Sequence, residues 1–275
     1  MSTELNRQKK DPLTPFFLLT FLITWGFSAL AIFLPLQFQR LFGELTDTSP
    51  MYFLAVGAPT ISATLLTFVR GGWTGLGSLY GRLVRWRLGL KWYALVLIGI
   101  PAVGWIAARI MGANPLKEAN TTADFLLLMF FILTTGPLCE ELGWRGFALP
   151  RLLKPFTPFT ASLILGVIWG VWHLPSFFVG GMEQNEMSIP LFLLNALFLS
   201  IFVTWIFLHT SGSVLIAVLI HFTVNFCATI IGVTLPTLGA VLLAASILIL
   251  MLDKQSGWFH SSNLDRRTIS AGETK

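Results

Sequence analysis

Two adjacent carboxylates and an arginine, Glu140, Glu141 and Arg145, stand in Pro137-Leu138-Cys139-Glu140-Glu141-Leu142-Gly143-Trp144-Arg145-Gly146-Phe147, directly after the apolar run Phe125 to Leu133. The surroundings are apolar enough to place them within the depth of a bilayer. A charged side chain at the centre of a membrane helix costs about 2.5–3.5 kcal/mol on insertion scales. Glu141 and Arg145 are four apart, so on a helix they share a face and pair. Glu140 sits about 100° round from Glu141 and has no such neighbour. An unpaired acid in a low-dielectric setting is a candidate general base.

Two further apolar segments carry groups that hydrocarbon would not select. One holds Trp169-Gly170-Val171-Trp172-His173-Leu174-Pro175 and the other His221-Phe222-Thr223-Val224-Asn225. His221 and Asn225 share a helix face by their spacing. Glu140 and His173 have the chemistry to hold and deprotonate a water. His221 and Asn225 have the chemistry to donate hydrogen bonds to an oxyanion, a contribution of about 2.7–4 kcal/mol per donor. Glu141 and Arg145 then support the helix and tune the field. A second mechanism uses the same residues. Glu140, His173 and His221 are also a zinc ligand set, with Glu141 or the metal-bound water as base. The residues leave both open.

The elements that must position these groups are membrane helices. The chain has 275 residues, 55% hydrophobic and only 11% charged, with a mean hydropathy of +0.75. A soluble domain carries about 25% charged residues. Apolar blocks of about twenty residues, each long enough to cross a bilayer as a helix, predict an all-α polytopic membrane protein and exclude a β-barrel, which alternates in short segments. The blocks predict about eight spans: 16–36, 51–69 with Pro59 as a kink, 92–111, 123–149, 160–179, 189–208, 214–231 and one ending near Leu252. The first block is too long for a cleavable signal peptide. Cys139 and Cys227 both lie in apolar segments, so no structural disulfide is expected.

Basic residues gather before the first block, in 70–91 (Arg70, Arg82, Arg85, Arg87, Lys91), at Arg151 and Lys154, and in the tail 253–275. The alternate connections carry Glu44, Asp47, Glu183 and Glu186; the positive-inside rule then places both termini in the cytoplasm. The 70–91 stretch reads as an interfacial amphipathic helix meeting anionic headgroups or as a basic loop. No repeat divides the chain, so residues 1–275 read as one membrane-embedded domain with a polar, mobile tail. Nothing in the charge pattern calls for nucleic acid. Trp25, Trp73, Trp92 and Trp105 read as interfacial anchors or lipid-facing bulk, His209 as an interfacial residue and His260 as part of the tail. Counted from the cytoplasmic turns at about 1.5 Å per residue, the three motifs reach similar depths.

Together these residues resemble the CPBP intramembrane proteases, the group of type II CAAX prenyl endopeptidases and bacteriocin-processing (Abi) proteins. Its motifs stand here as Glu140-Glu141-x-x-x-Arg145, Trp169-x-x-x-His173 and His221-x-x-x-Asn225, and the resemblance covers 123–226. It implies an eight-helix fold in a prokaryotic cell membrane with a site opening to the cytoplasm. It also implies that Glu140 and His173 activate water while His221 and Asn225 form the oxyanion hole. Some members cleave the terminal tripeptide of prenylated CaaX proteins; others are tied to bacteriocin immunity. The group is often labelled metalloprotease, although a metal-free glutamate mechanism has support. The expected function is an intramembrane endopeptidase acting on a peptide or lipidated protein in the bilayer. The rivals are a non-enzymatic immunity or binding factor of the same fold and a small transporter using its carboxylates as a proton relay.

Overall fold

The structure is a computed structural model that describes residues 11–46, 49–112, 121–252 and 258. The basic residues before Asp11, together with Asp47, Lys117, Glu118, His260 and nearly all of the tail, lie outside the described residues.

Among the described residues the chain is helical, with no strand. The helices are α1 (Leu13–Phe33), α2 (Pro35–Phe42), α3 (Pro50–Val56), α4 (Ala58–Tyr80) and α5 (Leu90–Ile110, with a π turn at Leu95–Gly99). They continue as α6 (Thr122–Thr134), α7 (Pro137–Glu141, extended by a π turn Leu142–Ala148 and by Leu149–Leu152), α8 (Pro158–Trp172), α9 (Ile189–His209), α10 (Val214–Phe226) and α11 (Leu235–Leu252). By length and composition six helical stretches are able to cross a membrane, and α3 with α4, bent by 64°, makes up to seven. α11 is apolar but shorter. The protein is therefore a polytopic helical membrane protein. Leu22, Leu126 and Val167 point outward, as lipid-facing residues do.

Local chemistry sets the helix ends. Ser49, Thr121, Thr157 and Ser213 each cap a helix by accepting a backbone N–H through the side-chain oxygen. The bend between α3 and α4 comes from Pro59, which has no N–H to give to the Ala55 carbonyl. The Thr24 hydroxyl of α1 donates to that carbonyl at 2.6 Å, so the break is satisfied inside the bundle. Helices α8 and α9 approach closely through Gly166 and Gly170. A Cβ on either would meet Leu197 and Ser200, or Leu193, at about 3 Å. Small residues spaced this way let membrane helices pack by their backbones.

Four expectations are corrected. The predicted continuous helix 123–149 is broken at Gly136 (φ −146°, ψ −76°), with Pro137 starting the next helix. The predicted span 160–179 ends its α-helix at Trp172, leaving His173 as the C-cap before a 3-10 turn, Leu174–Phe177. Pro175 cannot continue an α-helix ladder, which explains the early end. The basic stretch 70–91 is neither an interfacial helix throughout nor a simple loop. Helix α4 runs on to Tyr80 across a kink at Gly72 (φ 58°), and residues 81–89 then form a strap bound to the bundle. Arg82 is buried and donates to the Gly146 carbonyl at 3.3 Å, and Arg85 donates to that of Ser211 at 2.7 Å. These two guanidiniums thus meet protein carbonyls rather than headgroups. Of the tail, Trp258 is described and is buried, its carbonyl accepting the Phe159 N–H, so this part of the expected mobile tail is packed.

Candidate functional site

The broken α6–α7 segment carries Glu140, Glu141 and Arg145 into the interior, where all three are almost fully buried (3%, 0% and 0% exposed). The π turn that follows Glu141 packs on the Pro59 break of α4. A Cβ on Gly143 would lie 2.5 Å from the Pro59 carbonyl, so only glycine lets these elements meet.

Glu141 pairs with Arg145 at 2.8 Å, as its spacing predicts. The same Glu141 Oε1 lies 2.9 Å from His221 Nδ1. A carboxylate already paired with arginine only accepts, so Nδ1 is the protonated nitrogen and Nε2 is left for other partners. Arg145 also sits over the Trp169 ring at 4.8 Å, a cation–π contact.

Glu140 is held differently. Trp169 Nε1 donates to its Oε2 at 2.6 Å, leaving Oε1 toward His173 Nε2 at 3.9 Å. His173 Nδ1 lies 2.8 Å from the Trp169 carbonyl, which only accepts. The ring therefore carries its proton on Nδ1 and presents the Nε2 lone pair to Glu140. A gap of 3.9 Å is too long for a direct hydrogen bond and suits one bridging water.

The groups converge beside the helix break. A Cβ on Gly136 would stand 3.5 Å from Asn225 Nδ2 and 3.6 Å from both Glu140 Oε1 and His221 Nε2. The missing methyl leaves room for an atom that touches an acid and two nitrogens. The structure thus brings together all six sequence-predicted residues, in two linked layers. Glu140, His173, His221 and Asn225 line a cavity, while Glu141 and Arg145 lie behind them.

Sequence reasoning did not single out Thr24, and it read Trp25 as an interfacial anchor or lipid-facing bulk. Trp172 Nε1 donates to Thr24 Oγ1 at 2.9 Å, and Trp25 Nε1 donates to the Trp172 carbonyl at 3.1 Å. These bonds tie α1 to the residue preceding His173. No local pattern marks Thr24, because its partners are 31 and 148 residues away. Gly136 was not singled out either, since the sequence reading runs one helix through it.

Among the described residues no three His, Cys, Asp or Glu side chains gather as a metal-ligand group. Glu140 has one oxygen bound by Trp169, and the other stands 3.9 Å from the His173 nitrogen. No step below runs through a metal.

The cavity encloses about 960 Å³. From the catalytic-type groups it runs past Phe38 and Tyr52 to the connections 43–46 and 179–184, where Gly43, Glu44, Gly181 and Glu183 are exposed. Among the described residues, none of 57–112, 121–127 or 200–220 lines it. The resemblance implies a mouth on the cytoplasmic side, and the charge count puts the basic connections on that side. The connections in the cavity's lining are 43–46 and 179–184, and neither Arg82 nor Arg85 of the strap is among the lining residues.

Comparison with known proteins agrees with the geometry. Residues 122–227 match the family described as type II CAAX prenyl endopeptidase Rce1-like. A CAAX prenyl protease 2 from Methanococcus maripaludis is 33% identical over 165 residues, 56% of this chain and 59% of that protein. The chain thus spans under two thirds of the length of the curated relative it matches. The matched segment begins at the helix that leads into Glu140 and ends just after Asn225, so it holds every residue of the site. Through this core the chain is similar to the Rce1-like type II CAAX prenyl endopeptidases.

Proposed function

We propose that the protein is an intramembrane endopeptidase that hydrolyses a peptide bond with a water activated by Glu140 and His173. The observation that carries this is the convergence of Glu140 Oε1, His221 Nε2 and Asn225 Nδ2 on the space left by Gly136. Glu140 Oε1 and His173 Nε2 are both acceptors, so a water between them gives up both hydrogens to hydrogen bonds. Its lone pair then faces the scissile carbonyl. Glu140 takes the proton as the water attacks and passes it to the leaving amine. Asn225 Nδ2 and His221 Nε2 face the developing oxyanion. With Nδ1–H committed to Glu141, His221 donates from Nε2 only as the imidazolium, and Glu141 at 2.9 Å is the counter-charge for that form. Trp169 holds Glu140 and His173 at once, one through its indole N–H and the other through its carbonyl.

The substrate class is a peptide associated with the membrane. The relative's name adds a prenylated CaaX terminus as one member of that class. The test is cleavage by the purified protein in detergent, wild type against Glu140→Gln, on peptides with farnesylated and unmodified C-termini, with and without a chelator. Cleavage that survives chelation and disappears in the variant is expected. Cleavage lost on chelation and restored by zinc would replace the glutamate–water mechanism with a metal one. A variant that cleaves like wild type would remove Glu140 from the chemistry. An inert wild type across the panel would favour the binding-factor reading.

A further inference from the structure

The matched segment 122–227 holds the groups assigned to the reaction, yet it does not hold His173 in place alone. His173 ends α8, where the last carbonyls of the helix have no intrahelical partner. The His173 ring takes the Trp169 carbonyl, and its backbone N–H takes that of Gly170 at 3.1 Å. The Trp172 carbonyl is taken from α1, by Trp25 Nε1. The Trp172 indole is held by α1 as well, donating to Thr24 Oγ1 at 2.9 Å. Two adjacent residues of α1 therefore grip Trp172 by its backbone and by its side chain. The grip bears on His173 because the Trp172 ring stands edge-to-face against the imidazole, with centroids 4.6 Å apart at 80°. Trp169 at 5.5 Å and Phe192 at 5.1 Å also flank the imidazole.

The Thr24 hydroxyl has one hydrogen to donate, and the Ala55 carbonyl accepts it at 2.6 Å. That carbonyl is the one Pro59 leaves without a backbone donor. Gly143, in the π turn after Glu141, lies against the carbonyl of Pro59 itself. Two hydrogen bonds in series, from the Trp172 indole to the Thr24 hydroxyl and on to Ala55, thus join the end of α8 that presents His173 to the break that seats the Glu140 segment.

We propose that Thr24 is a positioning residue that sets the His173 ring against Glu140 through Trp172, so that α1, outside the matched segment, is part of the site's apparatus. The inference rests on the endopeptidase reading for the reaction that Thr24 serves; the placement of His173 stands on the hydrogen bonds and ring contacts alone.

The test has two readouts on the full chain in detergent. Thr24→Val keeps the side-chain shape and removes both bonds. On a peptide that the wild type cleaves, kcat should fall about 10- to 100-fold with KM little changed, the cost of a reacting group moved by up to about 1 Å. Thr24→Ser keeps the hydroxyl and should recover most of that loss. Thr20→Val is the control: Thr20 lies one turn earlier on α1, is fully buried, and its hydroxyl has no hydrogen-bond partner among the described residues. Its kcat should match wild type. Thr24 also lines the cavity, so a change in KM alone would mean peptide contact and would overturn the positioning role. A wild-type kcat in Thr24→Val, or an equal loss in Thr20→Val, would overturn it too.

The second readout needs no cleavage. The chain has four histidines, few enough for NMR of protein carrying isotope-labelled histidine. The His173 ring signals, identified by their absence in His173→Gln, should shift in Thr24→Val and match wild type in Thr24→Ser. Unmoved signals would overturn the proposal. A wild type that cleaves no peptide would sink the endopeptidase reading, while these signals still decide whether Thr24 places His173. Should Thr24→Val not fold, Trp172→Phe removes the same indole bond from the other partner, keeps a ring beside His173, and is read in the same two ways.

Discussion

Trp169 holds two of the groups assigned to the proposed chemistry. Its indole N–H binds one oxygen of Glu140 and its carbonyl binds His173. Trp169→Phe keeps the ring between Arg145 and His221 but removes the bond to Glu140. A hydrogen bond to a charged group contributes about 1.5–3 kcal/mol, so kcat should fall roughly 10- to 150-fold with KM little changed. Steady-state kinetics on a cleaved peptide checks this; an unchanged kcat would remove the positioning role. Glu140→Gln should lose about 10²–10⁴-fold, the usual contribution of a general base. Glu141→Gln should act first on stability. Its carboxylate serves Arg145 and His221 at full burial, and breaking a buried pair costs about 3–5 kcal/mol. Thermal unfolding in detergent should show a lowered Tm for this variant and a near-native one for Glu140→Gln.

At the level of elements, two glycines on one segment do different things. Gly143 faces the Pro59 carbonyl, where a Cβ would lie at 2.5 Å, so Gly143→Ala forces backbone apart and should destabilise by about 1–3 kcal/mol or more. Gly136 has a negative φ, and a Cβ there would meet its neighbours at 3.5–3.6 Å, in ordinary van der Waals contact. Gly136→Ala should therefore fold like wild type and lose activity, because its methyl takes the place of the reacting atom. Melting and cleavage measured side by side distinguish the two; an active Gly136→Ala would mean that the reaction occurs elsewhere in the cavity. The helix types at these positions were not readable locally. The motif predicts a helix through Glu140, while the π turn after Glu141 follows from packing against α4.

For the whole molecule, the cavity of about 960 Å³ is at the upper end of ordinary ligand pockets. Ala31 lines it away from the reacting groups, on α1. Ala31→Trp should crowd the path of a peptide and raise KM more than it lowers kcat. Equal KM for wild type and variant would place the peptide's path elsewhere. The first three predicted spans are generic in sequence, yet α1 closes the site through Thr24 and Trp25, and the α3–α4 break supplies both a cavity wall and the surface on which Gly143 rests.

The sequence by itself determined the membrane class, the presence of the apolar helices, and the six side chains proposed for the site. Burial in hydrocarbon is costly enough that composition and isolated polar groups reveal both. The i to i+4 pairing of Glu141 with Arg145 was legible for the same reason: it is local. Only the tertiary structure decided that His173 caps a helix instead of lying within one, that His221 is oriented by Glu141, and that Glu140 is held by Trp169. Each of these depends on contacts between helices that are far apart in the chain, and periodicity carries no information about which faces of separate helices meet.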